Sequence, residues 1–502
     1  MIQFLHKQIV QMLRPWKLEF EIDRKLDKAV YLQIADSIIT DIRSGRLKPG
    51  DALPGSRNLA TTLKINRNTV VEAYQVLINE EWVISKERKG IFVSDQLPAL
   101  HHKRINKSTG NQDQPMKSGG ILINFDDGHP DSKIAPVTEL ARAYRQIFSI
   151  KAKWQMMGYG DEHGDIEFRN MIAKMLNHQR GMQIHDHEIS ITRGSQMAMF
   201  LTAQSLFTSG DHVIVEDPGY NPAWQAFEYA GATLLPVSVD KEGINVETIE
   251  KLLAQHDSIK AIYITPHRQY PTTVTLSLSR RLRLIELSNQ YDITIIEDDY
   301  DNEFHFGYRP ILPISSFPEL RHYVYIGTLS KVVAPALRIG YLATKNQDLL
   351  QKIGGLRKII DVHGDVIMEQ AVLQLIKEGA VKKHIKKATV HYKNKRDFTF
   401  SILKKYMTEV ADFTLPEGGL AFWIVPKITL NWDLATTLLL ERNIRIIHPK
   451  QYSHNDINGF RLSYGTLTEE QLEQSIEIIS GIFILLSQNH DGYADIESKI
   501  PL

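Results

Sequence analysis

The sequence contains no cysteine. That excludes a disulfide framework and a thiolate metal site, and it suits a reducing cytoplasm. Net charge is absent too: 59 Lys and Arg stand against 59 Asp and Glu. A chain without bulk charge is not a general polyanion binder, so any nucleic-acid surface has to be local. No apolar run reaches the roughly 20 residues of a membrane-spanning helix. The opening stretch, Met1 to Phe20, is short and broken by charge, unlike a signal peptide. A cytoplasmic protein with no membrane partner is therefore expected. Its 502 residues, 43% of them hydrophobic, exceed the roughly 250–300 that one core usually holds, so two or more domains are expected.

The composition changes near residue 96. "QLPALHHKRINKSTGNQDQPMKSGG" (Gln96 to Gly120) is polar and lacks apolar periodicity, and reads as a flexible linker. Its His101 and His102 have no partners that would make a metal site, so no metal is expected. The linker separates a domain over 25–95 from one over 121–485.

In the first segment Ala35, Ile38, Ile39 and Ile42 follow the spacing of one helical face. "RLKPGDALPGS" is turn-rich and "RNLATTLKI" reads as a short helix. Val70, Ala73, Tyr74 and Leu77 then mark a second buried face, and "VISKERKGIFVSD" reads as two strands about a Lys89-Gly90 turn. These signals make a winged helix-turn-helix. A helix that buries Val70, Ala73, Tyr74 and Leu77 leaves Arg67, Asn68 and Thr69 at its free N-terminal turn. Arg can read guanine, Asn adenine, and Thr a phosphate or a thymine methyl. Ser56 and Arg57, the latter placed just before the first helix of the pair, are phosphate-binding candidates. Lys89 and Gly90 at the wing tip could enter a minor groove. A helix pair that merely packs would carry some of the same pattern.

In the second segment "DHVIVEDP", "KAIYITP", "DITIIEDDY", "HYVYIGTLS" and "RIGYLAT" are short Val/Ile/Tyr-rich strands, with helical stretches such as "SLSRRLRLIELSNQY" between some of them. That rhythm predicts an α/β fold with a mainly parallel sheet, whose ligand lies outside the carboxyl ends of the strands. Near the C-terminus "ISGIFILLSQ" predicts a buried helix.

Lys331 stands in "GTLSKVVAPALR", among small and apolar residues, with Arg338 seven positions on. An amine must be uncharged to attack a carbonyl, and apolar surroundings with a nearby cation favour the neutral form. Thr328 and Ser330 add hydroxyl donors, and Arg338 a cation suited to phosphate. A lysine beside phosphate-binding groups suggests a Schiff base to pyridoxal 5′-phosphate. That cofactor wants a carboxylate at its pyridine nitrogen, and Asp298 of "IIEDDYDNEF" stands at a strand end, with Tyr300 able to hydrogen-bond the ring hydroxyl. Taken singly, Lys331 could be an exposed loop lysine and the acidic run a solvated turn.

Two resemblances sharpen this reading. "LKPGDALPGSRNLATTLKINRNTVVEAYQVLINEEWVISKERKGIFV" resembles the GntR-type winged helix. Residues from about 121 to 485 resemble the fold-type I aminotransferases, through "YGDEHGDIEFR", "RGSQMAM", "EDPGYNPAW", "PHRQYPT", "EDDYDNEF", "GTLSKVVAPALRIGYL" and "GFRLSYG". The joined chain resembles the MocR/GabR subfamily of GntR regulators. The resemblance implies Lys331 as the cofactor's covalent anchor, Asp298 at its pyridine nitrogen, Tyr300 at its ring hydroxyl and Tyr220 stacked on the ring. Gly194, Ser195 and Gln196 would begin a phosphate-binding helix, completed by Thr328, Ser330 and Arg338. Tyr159 would reach the phosphate of a partner subunit in a head-to-tail homodimer. Arg461 matches the arginine that grips a substrate or effector carboxylate, though an ordinary strand arginine would look the same.

The chain departs from the family pattern at three places. Pro222 stands where the best-known member, which responds to γ-aminobutyrate, has a second effector arginine. "PTT" (Pro271 to Thr273) replaces "PTG", and "GGLA" (Gly418 to Ala421) replaces "GGLH". These leave the cofactor expected and γ-aminobutyrate doubtful as effector. The expected protein binds a double-stranded DNA operator under control of a small amine, an amino acid or the cofactor itself. A working aminotransferase carrying a DNA-binding domain is the alternative, since the catalytic set is intact.

Overall fold

The structure is a computed structural model that describes residues 22–95, 122–149 and 158–488, apart from 25, 27, 88, 302 and 308–310. The expected linker 96–120 with His101 and His102, the opening stretch and residue 25 lie outside the described residues. Backbone contacts divide the chain into two compact units, Met1–Lys117 and Ser118–Leu502. Among the described residues no helix is long and apolar enough to cross a membrane.

The first unit holds helices α1 (Val30–Arg43), α2 (Ser56–Leu63) and α3 (Arg67–Asn79), then strands β1 (Val83–Lys86) and β2 (Gly90–Val93). Its core joins Ile34, Ala35, Ile38 and Ile42 of α1 to Val70, Ala73, Tyr74 and Leu77 of α3. These are the faces the periodicity predicts, except that Ile39 is only partly buried at the edge of that core. Helix α2 stops at Lys64, whose left-handed backbone (φ 52°) turns the chain, and Asn66 starts α3. Tyr74 ties α3 back to the preceding turn by donating to the Pro54 carbonyl at 2.7 Å. The strands pair antiparallel with Lys86 opposite Gly90. Arg57 lies inside the first turn of α2 rather than before it, because Gly55 takes the cap position.

The second unit is built on an eight-stranded sheet of β3 (Ile189–Thr192), β4 (His212–Asp217), β5 (Thr233–Asp240), β6 (Gly243–Ile244), β7 (Ile259–Ile264), β8 (Thr294–Asp299), β9 (Tyr323–Thr328) and β10 (Gly340–Ala343). Their order is β3-β10-β9-β8-β7-β4-β5-β6. Strands β9, β8, β7, β4 and β5 run parallel, while β10 is antiparallel to both neighbours. Side chains alternate across a strand, so a sheet covered on both sides needs apolar residues at successive positions. The sequence supplies them: Ile295 enters one core and Ile296 the other, as do Tyr325 and Ile326. A third core lies on a three-stranded sheet of β11 (Ala411–Phe413), β12 (Ala421–Pro426) and β13 (Phe460–Ser463), and includes Phe422, Ile424 and Phe460. The C-terminal helix Glu469–Gln488 closes it with Ile476, Ile479, Ile482 and Phe483.

Candidate functional site

In the first unit the Asn66 side chain accepts from the Asn68 N–H at 2.8 Å and so caps α3. A capped start leaves the neighbouring side chains outward. Arg57, Arg67 and Asn68 are exposed, and Ser56 and Thr69 are half-buried. Arg67 Nε donates to Ser56 Oγ at 3.3 Å, which links the starts of α2 and α3. Lys89 is exposed beside Gly90, whose φ of 113° makes the turn between β1 and β2. The predicted DNA-facing residues therefore stand at the start of the helix pair and at the hairpin tip.

In the second unit a cavity opens where β4, β7, β8 and β9 end. It has a volume of about 140 Å³ and is lined by Ser195, Gln196, Tyr220, Asp298, Tyr300, Thr328, Ser330, Lys331 and Arg338 among the predicted residues. The fold brings these together because β3, β4, β8 and β9 point the same ends at one place. Helix α4 (Ser195–Leu206) begins there with Gly194 as its cap at φ 83°. A side chain at Gly194 would lie 2.6 Å from Arg338 Nη2, so only glycine admits both the turn and the arginine. Thr328 and Ser330 hydroxyls rest on the Ile339 carbonyl at 3.2 and 3.4 Å.

Asp298 accepts from the Tyr263 hydroxyl at 2.9 Å through Oδ2, while its Oδ1 is buried without a hydrogen-bond partner. Burial raises its carboxyl to about 7, against the lowering effect of that bond. The adjacent Asp299 points to the other side of β8. There Arg180 and His267 overcome the raising effect of burial and hold its carboxyl below the usual range. Burial lowers the Lys331 amine, and Arg461 adds to it against Asp301 and Asp127. Its Nζ lies 4.5 Å from the centre of the Tyr300 ring. The Tyr300 hydroxyl donates to the Arg268 carbonyl at 3.0 Å, leaving its oxygen able to accept. Tyr220 meets Tyr270 edge-on, with ring centres 5.1 Å apart.

Two predicted residues stand apart. Arg461 on β13 is fully buried behind Tyr270, with its guanidinium 5.1 Å from that ring's centre. Nη1 donates to the Pro271 carbonyl at 3.1 Å, and Nε is buried without a partner. Tyr159 is 90% exposed, outside the cavity, with its ring against His363. The sequence reading missed Asp127, His129, Thr265, Tyr270 and Pro335, which also line the cavity. Tyr270 and Pro335 fall inside motifs already singled out. Asp127 carries no such signal, because it comes from the start of the second unit.

The raised Asp298 carboxyl has a measurable consequence. A buried acid that resists ionisation destabilises the fold as pH rises from its unfolded value towards its folded one, because the unfolded chain then binds fewer protons. Without cofactor, the Asp298→Asn chain should lose less stability than wild type between about pH 5 and 7. The difference should approach 1.4 kcal/mol per pH unit at most. Paired urea titrations at the two pH values measure it; parallel losses would contradict the assigned environment.

A winged-helix reader and a parallel-sheet cavity lined by a buried lysine define a DNA-binding protein joined to a pyridoxal-phosphate fold. The profile of the family described as "Aminotransferase class I and II" matches residues 121–479, and that of "Bacterial regulatory proteins, gntR family" matches residues 30–93. The chain belongs to the class I and II aminotransferase family and opens with a GntR DNA-binding domain, the organisation of MocR/GabR-type regulators. It is 26% identical over 425 residues to the probable rhizopine catabolism regulatory protein MocR of Rhizobium meliloti, covering 81% of this chain and 83% of that one. It is 25% identical over 484 residues to the uncharacterized HTH-type transcriptional regulator YdfD of Bacillus subtilis, covering 91% and 97%. The crystal structure of a multiple substrate aminotransferase from Thermococcus profundus superposes with a TM-score of 0.69 at 25% identity, over 74% of this chain and 93% of that one.

Class I and II aminotransferases depend on pyridoxal 5′-phosphate, and the cavity fits that group. The buried, partnerless Asp298 Oδ1 is an acceptor in want of a donor, as a protonated ring nitrogen would be. The start of α4 with Arg338 beside it suits a phosphate.

Proposed function

We propose that the protein is a transcription regulator that binds an operator through residues 25–95 and senses a small amine or amino acid through a cofactor-bearing domain over 121–485, with 96–120 as the linker. The observation that supports this reading is the alignment of YdfD, whose name gives it as an uncharacterized HTH-type transcriptional regulator, over 91% of this chain and 97% of its own length. Pyridoxal phosphate supplies a reactive aldehyde and an electron-withdrawing ring when bound. Lys331 would hold it covalently. Asp298 would accept from the ring nitrogen, Tyr300 would meet the ring hydroxyl and Tyr220 would cover the ring face. The N–H groups at Gly194, Ser195 and Gln196, with Thr328, Ser330 and Arg338, would hold the phosphate. Arg461 would take an effector's carboxylate. In a head-to-tail homodimer Tyr159, exposed in the single chain, would contribute to the partner's phosphate site. Ligand binding alters operator affinity only if it favours one arrangement of the reader over another.

Turnover is a second reading, favoured by the likeness to the multiple substrate aminotransferase. Titrating the purified holoprotein with amines, while following both the visible spectrum and operator binding, separates the two. A stable shifted band with changed operator affinity supports the sensor. A keto product without any change in operator affinity supports the enzyme. A change on adding cofactor alone would make the cofactor itself the signal.

Arg67→Ala tests the reader. It should weaken specific operator binding by about 1–3 kcal/mol, the scale of one good base contact, with less effect on non-specific DNA. Fluorescence anisotropy at fixed salt measures both, and unchanged operator affinity removes Arg67 from the reading set.

A further inference from the structure

The cavity wall carries an acidic residue to which the expected cofactor contacts assign no role. Asp127 lines the cavity together with Lys331 and Tyr270. Its Oδ1 accepts a close hydrogen bond from the Tyr270 hydroxyl. Its Oδ2 has no hydrogen-bond partner among the described residues. The next residue, Gly128, abuts Arg461: a side chain placed there would come within 3.5 Å of Arg461 Nη2. Arg461 is 1% exposed, lies over the same Tyr270 ring, and keeps a buried Nε without a partner.

The charges around the cavity can be assigned in turn. Asp298 faces the expected ring nitrogen and Arg338 the expected phosphate, while Lys331 is the expected covalent anchor. Asp301, which also acts on Lys331, is paired with Arg268 at 2.9 Å. Asp127 is left over on the wall, and Arg461 lies behind Tyr270 with its Nε unpartnered. His129, also on the wall, is already paired with Asp126 at 3.0 Å. A buried or half-buried charge is stabilised by an opposite charge and costs free energy without one. A ligand that presents its reacting amine beside Lys331 would pair with both if it carried a carboxylate towards Arg461 and a second cation towards Asp127.

We infer that the effector is a diamino carboxylic acid, its carboxylate held by Arg461 and its second ammonium by Asp127. The inference rests on the amine-sensing reading above and narrows it to a ligand class. It also accounts for the cavity being lined by an acid where a neutral amino acid would need none.

The test uses full-length holoprotein and two matched pairs, L-lysine with L-norleucine and L-ornithine with L-norvaline. Each is titrated while the visible band and operator anisotropy are recorded. A hydrogen bond between charged partners should bring the midpoint for the diamino member at least about tenfold below that of its neutral partner. In Asp127→Asn, which keeps an oxygen for Tyr270 and removes the charge, the ratio should fall below about threefold. Asp127→Glu should restore part of it. Equal midpoints within both pairs in wild type would overturn the inference while leaving amine sensing intact. A ratio that persists in Asp127→Asn would overturn the role of Asp127. If Asp127→Asn loses its cofactor band, the wild-type ratio and Asp127→Glu decide. If no amine moves the band or operator binding, the sensing reading itself fails, and this inference with it.

Discussion

Replacing Lys331 with alanine is expected to abolish the visible band of the lysine-linked cofactor, leaving at most that of the free aldehyde, and any cofactor fixed to the chain by borohydride, with far-ultraviolet circular dichroism unchanged. Among the described residues that line the cavity, Lys331 is the one lysine. Burial pushes its amine below the ordinary lysine range, towards the neutral form that can attack an aldehyde. Its removal leaves the sheet intact, because its side chain rests on the Tyr300 ring at the cavity and does not belong to the apolar cores. Mass spectrometry after borohydride reduction is decisive. Cofactor found on another lysine of the variant, at wild-type yield, would move the covalent site elsewhere.

The second large effect is expected at Asp298. Its replacement by alanine should weaken cofactor binding by about 3 kcal/mol, on the order of a hundredfold in Kd. The argument is one of pairing. Among the described residues the Asp298 carboxylate has a single hydrogen-bond donor, the Tyr263 hydroxyl, and a second oxygen without a partner. A ring nitrogen carrying a proton would meet that oxygen in a dry site, where a charged hydrogen bond is strong and its loss leaves the cation unpaired. Titration of cofactor-free protein by fluorescence gives Kd for both chains. Equal values would show that the bare oxygen faces no part of the cofactor.

The two substitutions also separate two properties. Lys331→Ala removes the covalent link while the Asp298 oxygen, the start of α4 and Arg338 remain to hold the cofactor non-covalently. Asp298→Ala keeps the link and removes the ring's charge partner. Operator binding measured in both tells whether the reader responds to the cofactor's presence or to its ring electronics.

The sequence by itself determined the local elements. Helical spacing in Ala35, Ile38 and Ile42, and in Val70, Ala73, Tyr74 and Leu77, marks faces that are buried in the structure. The Val/Ile/Tyr runs stand as strands of the main sheet. Both signals are local, because side-chain periodicity repeats within one or two turns of helix or a few strand residues. The positions of Lys331, Asp298 and Tyr300 at strand ends were legible for the same reason. Only the tertiary structure decided what the neighbouring acids do. Asp298 and Asp299 are adjacent in the chain, yet alternation along β8 turns one to the cavity and the other to Arg180 and His267. Nor does any short-range pattern bring Asp127 to Tyr270, 143 positions away, or Arg461 to Pro271, 190 positions away. Such contacts arise when separate segments close around one sheet end. Their partners are chosen by packing across the whole domain, and no window of the sequence contains both halves of the pair.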